Sequence, residues 1–193
     1  MSVSAEDIMQ VFKDAGALLE GHFEYASGKH GNRFLQAARV LQFPDKVETL
    51  CRAMADRFRD DDIQLVVGPA TGGILLAYET ARQLGCRGVF AEKEADGTMA
   101  VKRGFRIDPG TRVLVVEDIV TTGGSVMKAV KHVEDRGAEV VGISVLIDRS
   151  GGKANFDCKY EPLTPLSLES FDPADCPLCA QNVDLVEPDD MIV

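Results

Sequence analysis

The sequence predicts an α/β fold, a doubly wound and mostly parallel sheet carrying a small N-terminal hood. Two observations carry that expectation. From Ile63 onward short apolar runs alternate with amphipathic segments, the pattern of strands joined by helical crossovers. Runs such as Val113-Leu114-Val115-Val116 are apolar at every position rather than at alternate ones, which indicates burial on both faces and parallel pairing.

The elements follow in order. Ile8, Val11, Phe12, Ala15, Leu18 and Leu19 recur at helical spacing after Ser4, an N-cap residue type, and before Gly21, a stop signal. A second helix starts at Pro44, presents Val47, Leu50, Met54, Ala55 and Phe58, and ends in the acidic run Asp60-Asp61-Asp62. The stretch between them, GHFEYASGKHGNRFLQAARVL, is rich in glycine, aromatics and polar side chains and reads as loops and short strands. QLVVG, RGVFAE, RVLVVED and EVVGISVLID read as strands, and GGILLAYETARQLG and GGSVMKAVKHVEDRG as helices. GTMAVKRGF is polar and follows the charge-rich EKEADG, so it reads as a two-stranded excursion or a mobile flap. After Arg149 the composition turns to Gly, Pro, Asp and Cys without strong periodicity. The expected division is a single domain with a hood at about 1–42, a core at about 43–150 and an irregular tail at about 151–193.

With 193 residues and 45% hydrophobic content the chain can fill one ordinary core. No apolar run reaches the ~18 residues of a membrane span, and the first stretch lacks the pattern of a secretory signal. A cytoplasmic protein without a membrane partner is expected. A net charge of −10 repels a phosphate backbone over most of the surface, so nucleic acid is not an expected partner. Lys93, Lys102, Arg103 and Arg106 are nevertheless close in sequence, and such a local basic patch suits a small phosphorylated ligand.

Five cysteines in a chain without an export signal read as reduced thiols. Cys176-Pro-Leu-Cys179 supplies two ligands where a structural zinc site wants four, and Cys158 or a second subunit would have to complete it. The pair is read as incidental thiols in a tail.

The chemistry concentrates in VVEDIVTTGGS, Val115 to Ser125. A buried strand ends in the carboxylate pair Glu117 and Asp118, then opens into Thr121, Thr122, Gly123, Gly124 and Ser125 before a helix. In an open parallel sheet ligands bind beyond the carboxyl ends of the strands, where a helix start offers unpaired amides and a positive dipole end. Glycines permit close approach, and hydroxyls and amides donate to anionic oxygens. This is a phosphate cradle with two acids beside it, suited to accept hydrogen bonds from sugar hydroxyls or to hold a cation against the ligand. It is neither a Walker loop nor GxGxxG. VVGPATGG, Val66 to Gly73, is a second strand-to-helix turn and a plausible pyrophosphate site.

The first motif resembles the phosphoribosyl-pyrophosphate motif of the type I phosphoribosyltransferases, and the resemblance sharpens to orotate phosphoribosyltransferases. GHFEYASGKH is similar to that family's N-terminal signature, GPATGG to its pyrophosphate loop, and FAEKEADGTMAVKRGF to its mobile catalytic loop. IDRSGG and CPLC resemble features of its shorter-chain bacterial and archaeal branch. The longer branch has a lysine where this chain has Thr71-Gly72 and a Lys-x-His where it has Asp96-Gly97. Gly31-Asn32-Arg33 stands where a serine and an aromatic are usual, and VEPDDMIV stands in place of a basic C-terminus.

The resemblance implies transfer of ribose 5-phosphate from phosphoribosyl pyrophosphate to N1 of orotate, with Mg2+ bound mainly through substrate oxygens and a homodimer with shared active sites. By residue, it implies ribose contacts from Glu117 and Asp118, and a 5-phosphate site in Thr121 through Ser125, reached through Ile119 and Val120. Ala70, Thr71 and Gly72 would hold pyrophosphate, joined by Lys93, Lys102 and Arg103, with Lys93 and Asp118 taken as catalytic. Arg149 can pair bidentately with a carboxylate, which orotate has and uracil lacks. Thr121 and Phe34 complete the expected orotate site. A phosphoribosyltransferase for another base and a non-catalytic regulator that binds phosphoribosyl pyrophosphate are the alternatives weighed.

Overall fold

The computed structural model describes residues 3–25 and 27–187; residues 188–193 of the C-terminal VEPDDMIV lie outside them. Helix α1 (Ala5–Asp14) opens on a capping box, in which the Ser4 hydroxyl accepts from the Asp7 amide and the Asp7 carboxylate accepts from the Ser4 amide. It is shorter than the sequence spacing suggests. Gly16 turns the chain at a φ of 62°, a conformation open to glycine, and Leu18 and Leu19 enter strand β1 (Leu18–Glu24) rather than a last helical turn. Strand β2 (His30–Leu35) pairs antiparallel with β1, and the register slips between Glu20 and Phe23. This hairpin is the hood.

A short helix α2 (Ala38–Leu41) and then α3 (Pro44–Asp56, proline in its first turn) lead into the core. The remaining elements are β3 (Leu65–Pro69), α4 (Gly73–Leu84), β4 (Arg87–Lys93), β5 (Met99–Val101), β6 (Arg112–Val120), α5 (Gly124–Asp135), β7 (Glu139–Asp148), β8 (Lys159–Pro165) and α6 (Pro177–Ala180). The main sheet has six strands in the order β5-β4-β3-β6-β7-β8. All pairs are parallel except β4 with β5, so GTMAVKRGF supplies one short antiparallel edge strand and a turn. Among the described residues no helix is long and apolar enough to cross a membrane.

The sheet separates two apolar clusters, as its two-sided strands require. Val66, Leu114, Val116 and Leu146 face α1, α3 and α4 through Phe12, Leu50, Met54 and Leu76. Leu65, Val67, Val113, Val115, Ile143 and Val145 face α5 through Val126, Ala129, Val130 and Val133. Alternate residues of one strand therefore point to opposite layers.

The stretch after Arg149 departs from the expected irregular tail. Lys159–Pro165 runs parallel to β7 as the far edge of the main sheet. Its two prolines sit on that edge strand, where a missing amide costs no ladder bond. Farther on the chain returns to the hood: His30 and Phe171 exchange backbone hydrogen bonds, and Val186 bridges to Phe23.

Candidate active site

Strands β3 and β6 are neighbours, but their crossovers leave in opposite directions, one to β4 and the other to β7. The loops at their carboxyl ends therefore flank a topological switch point, where open sheets bind ligands. After β6, Gly123 adopts a φ of 79° and caps α5, and its missing Cβ leaves room for Phe156, whose ring would otherwise lie 3.0 Å from it. Thr121, Thr122, Gly124 and Ser125 are exposed. Together with Glu117, Ile119 and Val120 they line a cavity of about 70 Å³ at the N-terminus of α5, several times the ~10–15 Å³ that one water needs.

The loop after β3 lies against the acids. Its Ala70–Thr71 peptide bond is cis. The Ala70 amide donates to the Ala91 carbonyl at 2.7 Å, so that amide is committed to the sheet, and Thr71 and Gly72 are the donors left to consider. Gly72 exists as glycine because of its neighbour: a Cβ there would fall 2.8 Å from Asp118 Cγ and nearer still to Oδ2. The loop and the Asp118 carboxylate are thus in direct contact, a link invisible in the separate motifs.

Burial sets the electrostatics. Glu117 is 7% exposed, and its carboxyl accepts from the Asp118 amide at 3.1 Å, while Asp118 accepts from the Ile119 amide at 2.6 Å. Removal from water, and then the like charge of Asp118, pushes Glu117 up to about 8. Burial raises Asp118 as well. Two acids held this way strongly favour a cation or a hydroxyl-bearing ligand that relieves them.

Thr121 and Thr122 also border a larger cavity of about 540 Å³, walled by Tyr25, Ser27 and Phe34 of the hood region, Arg149 after β7, and Leu168 and Ser170 of the tail. Phe34 is half-buried beside Phe23, with ring centroids 5.9 Å apart. Arg149 holds its Cζ 5.9 Å from the Tyr25 ring. Burial lowers its affinity for a proton; among the described residues its guanidinium forms no salt bridge. A partly desolvated guanidinium at a cavity wall is suited to a carboxylate.

The structure brings together most of the residues named from sequence, in two groups around one crevice. Glu117, Ile119 through Ser125, Phe34 and Arg149 line the two cavities, whereas Asp118 and Ala70 through Gly72 line neither, although Gly72 lies against the Asp118 carboxylate. Lys93, Lys102 and Arg103 do not line either cavity; they lie exposed on the β4–β5 hairpin, where Arg103 pairs with Glu92 at 2.7 Å and Lys102 pairs with Glu94. Sequence reasoning missed Tyr25, Ser27, Leu168 and Ser170. The signal for Tyr25 was Gly31: a Cβ there would fall 2.7 Å from a Tyr25 ring carbon and nearer its hydroxyl, which donates to the Arg33 carbonyl at 2.6 Å.

Comparison with known proteins agrees with this geometry. Residues 38–161 match the family model described as the phosphoribosyl transferase domain. The chain is 49% identical over 186 residues to an orotate phosphoribosyltransferase of Desulforamulus reducens, covering 96% of this chain and 97% of that one. It is 47% identical over 186 residues, at the same coverage, to the orotate phosphoribosyltransferase of Caldicellulosiruptor saccharolyticus. Among solved structures, orotate phosphoribosyltransferase of Mycobacterium tuberculosis in complex with inorganic phosphate superposes with a TM-score of 0.71 at 25% identity, covering 83% of this chain and 94% of that one. With its switch-point crevice, the family match over residues 38–161 and full-length relatives of this similarity, the chain belongs to the phosphoribosyltransferase family, in its orotate phosphoribosyltransferase branch.

Proposed function

We propose that this enzyme transfers ribose 5-phosphate from phosphoribosyl pyrophosphate to N1 of orotate, giving orotidine 5′-monophosphate and pyrophosphate in pyrimidine biosynthesis. The observation that carries the reading is that Thr121 and Thr122 line both cavities, with Glu117 in the wall of the first and Arg149 in the wall of the second. A phosphorylated sugar in the first places its anomeric carbon toward a planar acid in the second.

The loop Thr121–Ser125 receives the 5-phosphate on the first amides of α5, with hydroxyls completing its shell. Glu117 and Asp118 accept hydrogen bonds from the ribose hydroxyls, and Thr71 and Gly72, following Ala70, face the pyrophosphate. Arg149 clamps the orotate carboxylate, Thr121 contacts the base and Phe34 stacks on it. As the bond from C1 to the pyrophosphate oxygen breaks, positive charge develops on the sugar ring. The carboxylates stabilise that charge, Asp118 foremost, while the clamp holds N1 in line; as N1 bonds to C1, its proton passes to the departing pyrophosphate or to solvent. Glu117 and Asp118 are hard oxygen donors that fit Mg2+ held mainly through substrate oxygens; when bound, the ion offsets the charge on the departing pyrophosphate.

Lys93, Lys102 and Arg103 serve the pyrophosphate of a neighbouring copy in a homodimer with shared active sites, with Lys93 as the catalytic member. Their exposure on an edge hairpin outside this chain's cavities supports that reading, as does the apolar surface of α4 at Leu75 (48% exposed) and Tyr78 (70%). The enzyme is placed in the cytoplasm, with neither nucleic acid nor membrane as partner.

The test is absorbance-monitored consumption of orotate with phosphoribosyl pyrophosphate and Mg2+, run beside uracil, hypoxanthine and xanthine. Turnover of orotate alone is expected. Turnover of another base instead would overturn the Arg149 assignment, and no turnover of any would overturn the transferase reading.

A further inference from the structure

Cys176 and Cys179, read from sequence as incidental thiols, are brought by the fold beside two histidines. Cys158, the residue expected to complete any metal site, lies elsewhere, in a groove with Met127, Val130 and Phe156. The two thiols instead meet His22 of β1 and His30 of β2. One ligand atom from each of these four residues lies within 4.8 Å of all the others. His22 Nε2 is 3.1 Å from His30 Nδ1, 3.4 Å from Cys176 Sγ and 3.8 Å from Cys179 Sγ; Cys179 Sγ is 3.2 Å from His30 Nδ1.

We propose that His22, His30, Cys176 and Cys179 form a structural zinc site that fastens the C-terminal tail to the hood.

Distances support a central ion. A tetrahedral zinc with bonds of about 2.0 Å to nitrogen and about 2.3 Å to sulfur separates its ligand atoms by roughly 3.3 Å (N to N), 3.5 Å (N to S) and 3.8 Å (S to S). The nitrogen–nitrogen spacing and three of the four nitrogen–sulfur spacings, 3.1 to 3.8 Å, lie around those values, and all four ligand atoms stay within 4.8 Å of one another.

Hydrogen bonding alone does not account for the cluster. His22 Nδ1 lies 2.8 Å from the Val183 carbonyl, which only accepts, so Nδ1 carries the ring proton and Nε2 is left as a lone pair. If His30 Nδ1 donates, it competes with the thiols for that lone pair; if it accepts from the Cys179 thiol while Cys176 donates to His22, the two ring nitrogens face each other as lone pairs 3.1 Å apart. A cation resolves the conflict by taking all four groups as ligands, two of them as thiolates. The Val183 carbonyl in turn supplies the outer-shell contact that fixes a ligating imidazole. Four protein ligands leave no open position, which marks a structural rather than a catalytic site.

The surroundings say what the ion holds. Backbone bonds already tie Phe171 to His30 and Val186 to His22 and Glu24. Leu168 and Ser170, just upstream of the bridge at Phe171, wall the larger cavity opposite Phe34. The ion therefore braces one wall of the base pocket against the hairpin that forms the other.

The test begins with the full chain, purified without a histidine tag, under reductant, from zinc-supplemented cells. Metal analysis is expected to give about one zinc per chain. After exchange, Co2+ is expected to show the visible bands of a tetrahedral thiolate site. Cys176→Ser with Cys179→Ser should abolish both signals, whereas Cys158→Ser should keep them. Extracting zinc from the unmutated enzyme should lower Tm and raise KM for orotate more than KM for phosphoribosyl pyrophosphate. A protein that carries less than a tenth of an equivalent of zinc and takes up no cobalt overturns the proposal. So does a zinc content unchanged by the double substitution. Should that variant fail to fold, the metal content and cobalt spectrum of the unmutated chain decide the question by themselves.

Discussion

Replacing Gly72 by alanine tests whether the position of one carboxylate controls the reaction. The backbone at Gly72 lies at φ −59° and ψ −40°, where alanine is comfortable, so the substitution acts through its methyl group. That carbon would lie 2.8 Å from Asp118 Cγ, whereas ordinary contact between carbons begins at about 3.5 Å, so the carboxylate must retreat by about 0.7 Å or more. Its hydrogen bond from the Ile119 amide, now 2.6 Å, cannot survive that retreat unchanged. A hydrogen bond to a charged group contributes about 1.5–3 kcal/mol, which corresponds to a roughly ten- to hundredfold fall in kcat/KM for phosphoribosyl pyrophosphate. The same lost hydrogen bond lowers stability by up to about 1.5–3 kcal/mol, a Tm drop of roughly 3–12 °C in a domain of this size, which leaves a folded enzyme to assay. Gly68→Ala is the contrast, because its Cβ would fall 2.5 Å from the Gly73 carbonyl carbon, and backbone cannot step aside; that variant should fail to fold stably. Steady-state kinetics with saturating orotate, alongside thermal melts, separates the two. A Gly72→Ala enzyme with kcat/KM within twofold of the parent would refute the reasoning.

Arg149→Ala should lower kcat/KM for orotate by roughly 30- to 1,000-fold, the ~2–4 kcal/mol of a buried charge pair cut at one side, while KM for phosphoribosyl pyrophosphate stays within threefold; equal losses for both substrates would contradict a carboxylate clamp. Glu117→Gln probes the buried acid through pH. The folded protein holds a proton on the Glu117–Asp118 pair up to about pH 8 that the unfolded chain releases near pH 4.5, so this stabilisation is complete below about 4.5 and disappears as pH rises to 8. Melts of the ligand-free enzyme should therefore fall more steeply across that window than those of Glu117→Gln, and parallel curves would count against a raised Glu117. Ser4→Ala removes the capping box of α1 and should cost about 1 kcal/mol, a Tm drop of roughly 2–4 °C, with turnover within twofold; a larger activity loss would mean that the hood depends on α1 for more than its anchoring.

The central sheet was legible because its strands announce themselves locally. Val113 through Val116 need no knowledge of partners to read as buried. The far-edge strand was not legible, since KYEPLTP combines charge, proline and a half-exposed burial pattern that only its pairing with β7 explains. Leu18 and Leu19 fit a helical period, yet the turn at Gly16 sends them into a strand, a case of local geometry overriding periodicity. The site divides the same way. Thr121–Ser125 is one continuous loop and could be read as one, whereas the contact between Tyr25 and the Glu169 carbonyl spans 144 residues. Likewise a CxxC motif gives no sign of His22 and His30, which lie on the β1–β2 hairpin and whose ring nitrogens come within 4.8 Å of both thiols.

The bridges between hood and tail impose an order on the molecule's own production. A ribosome releases His22 long before Cys176, which follows it by 154 residues, about 8–30 s later at ~5–20 residues per second. The main sheet is fully translated once Pro165 has been made, while Leu168, Ser170 and the strand-like contact at Phe171 are still to come. A nascent chain can thus carry a folded central sheet while Leu168 and Ser170, which wall the larger cavity, are still untranslated.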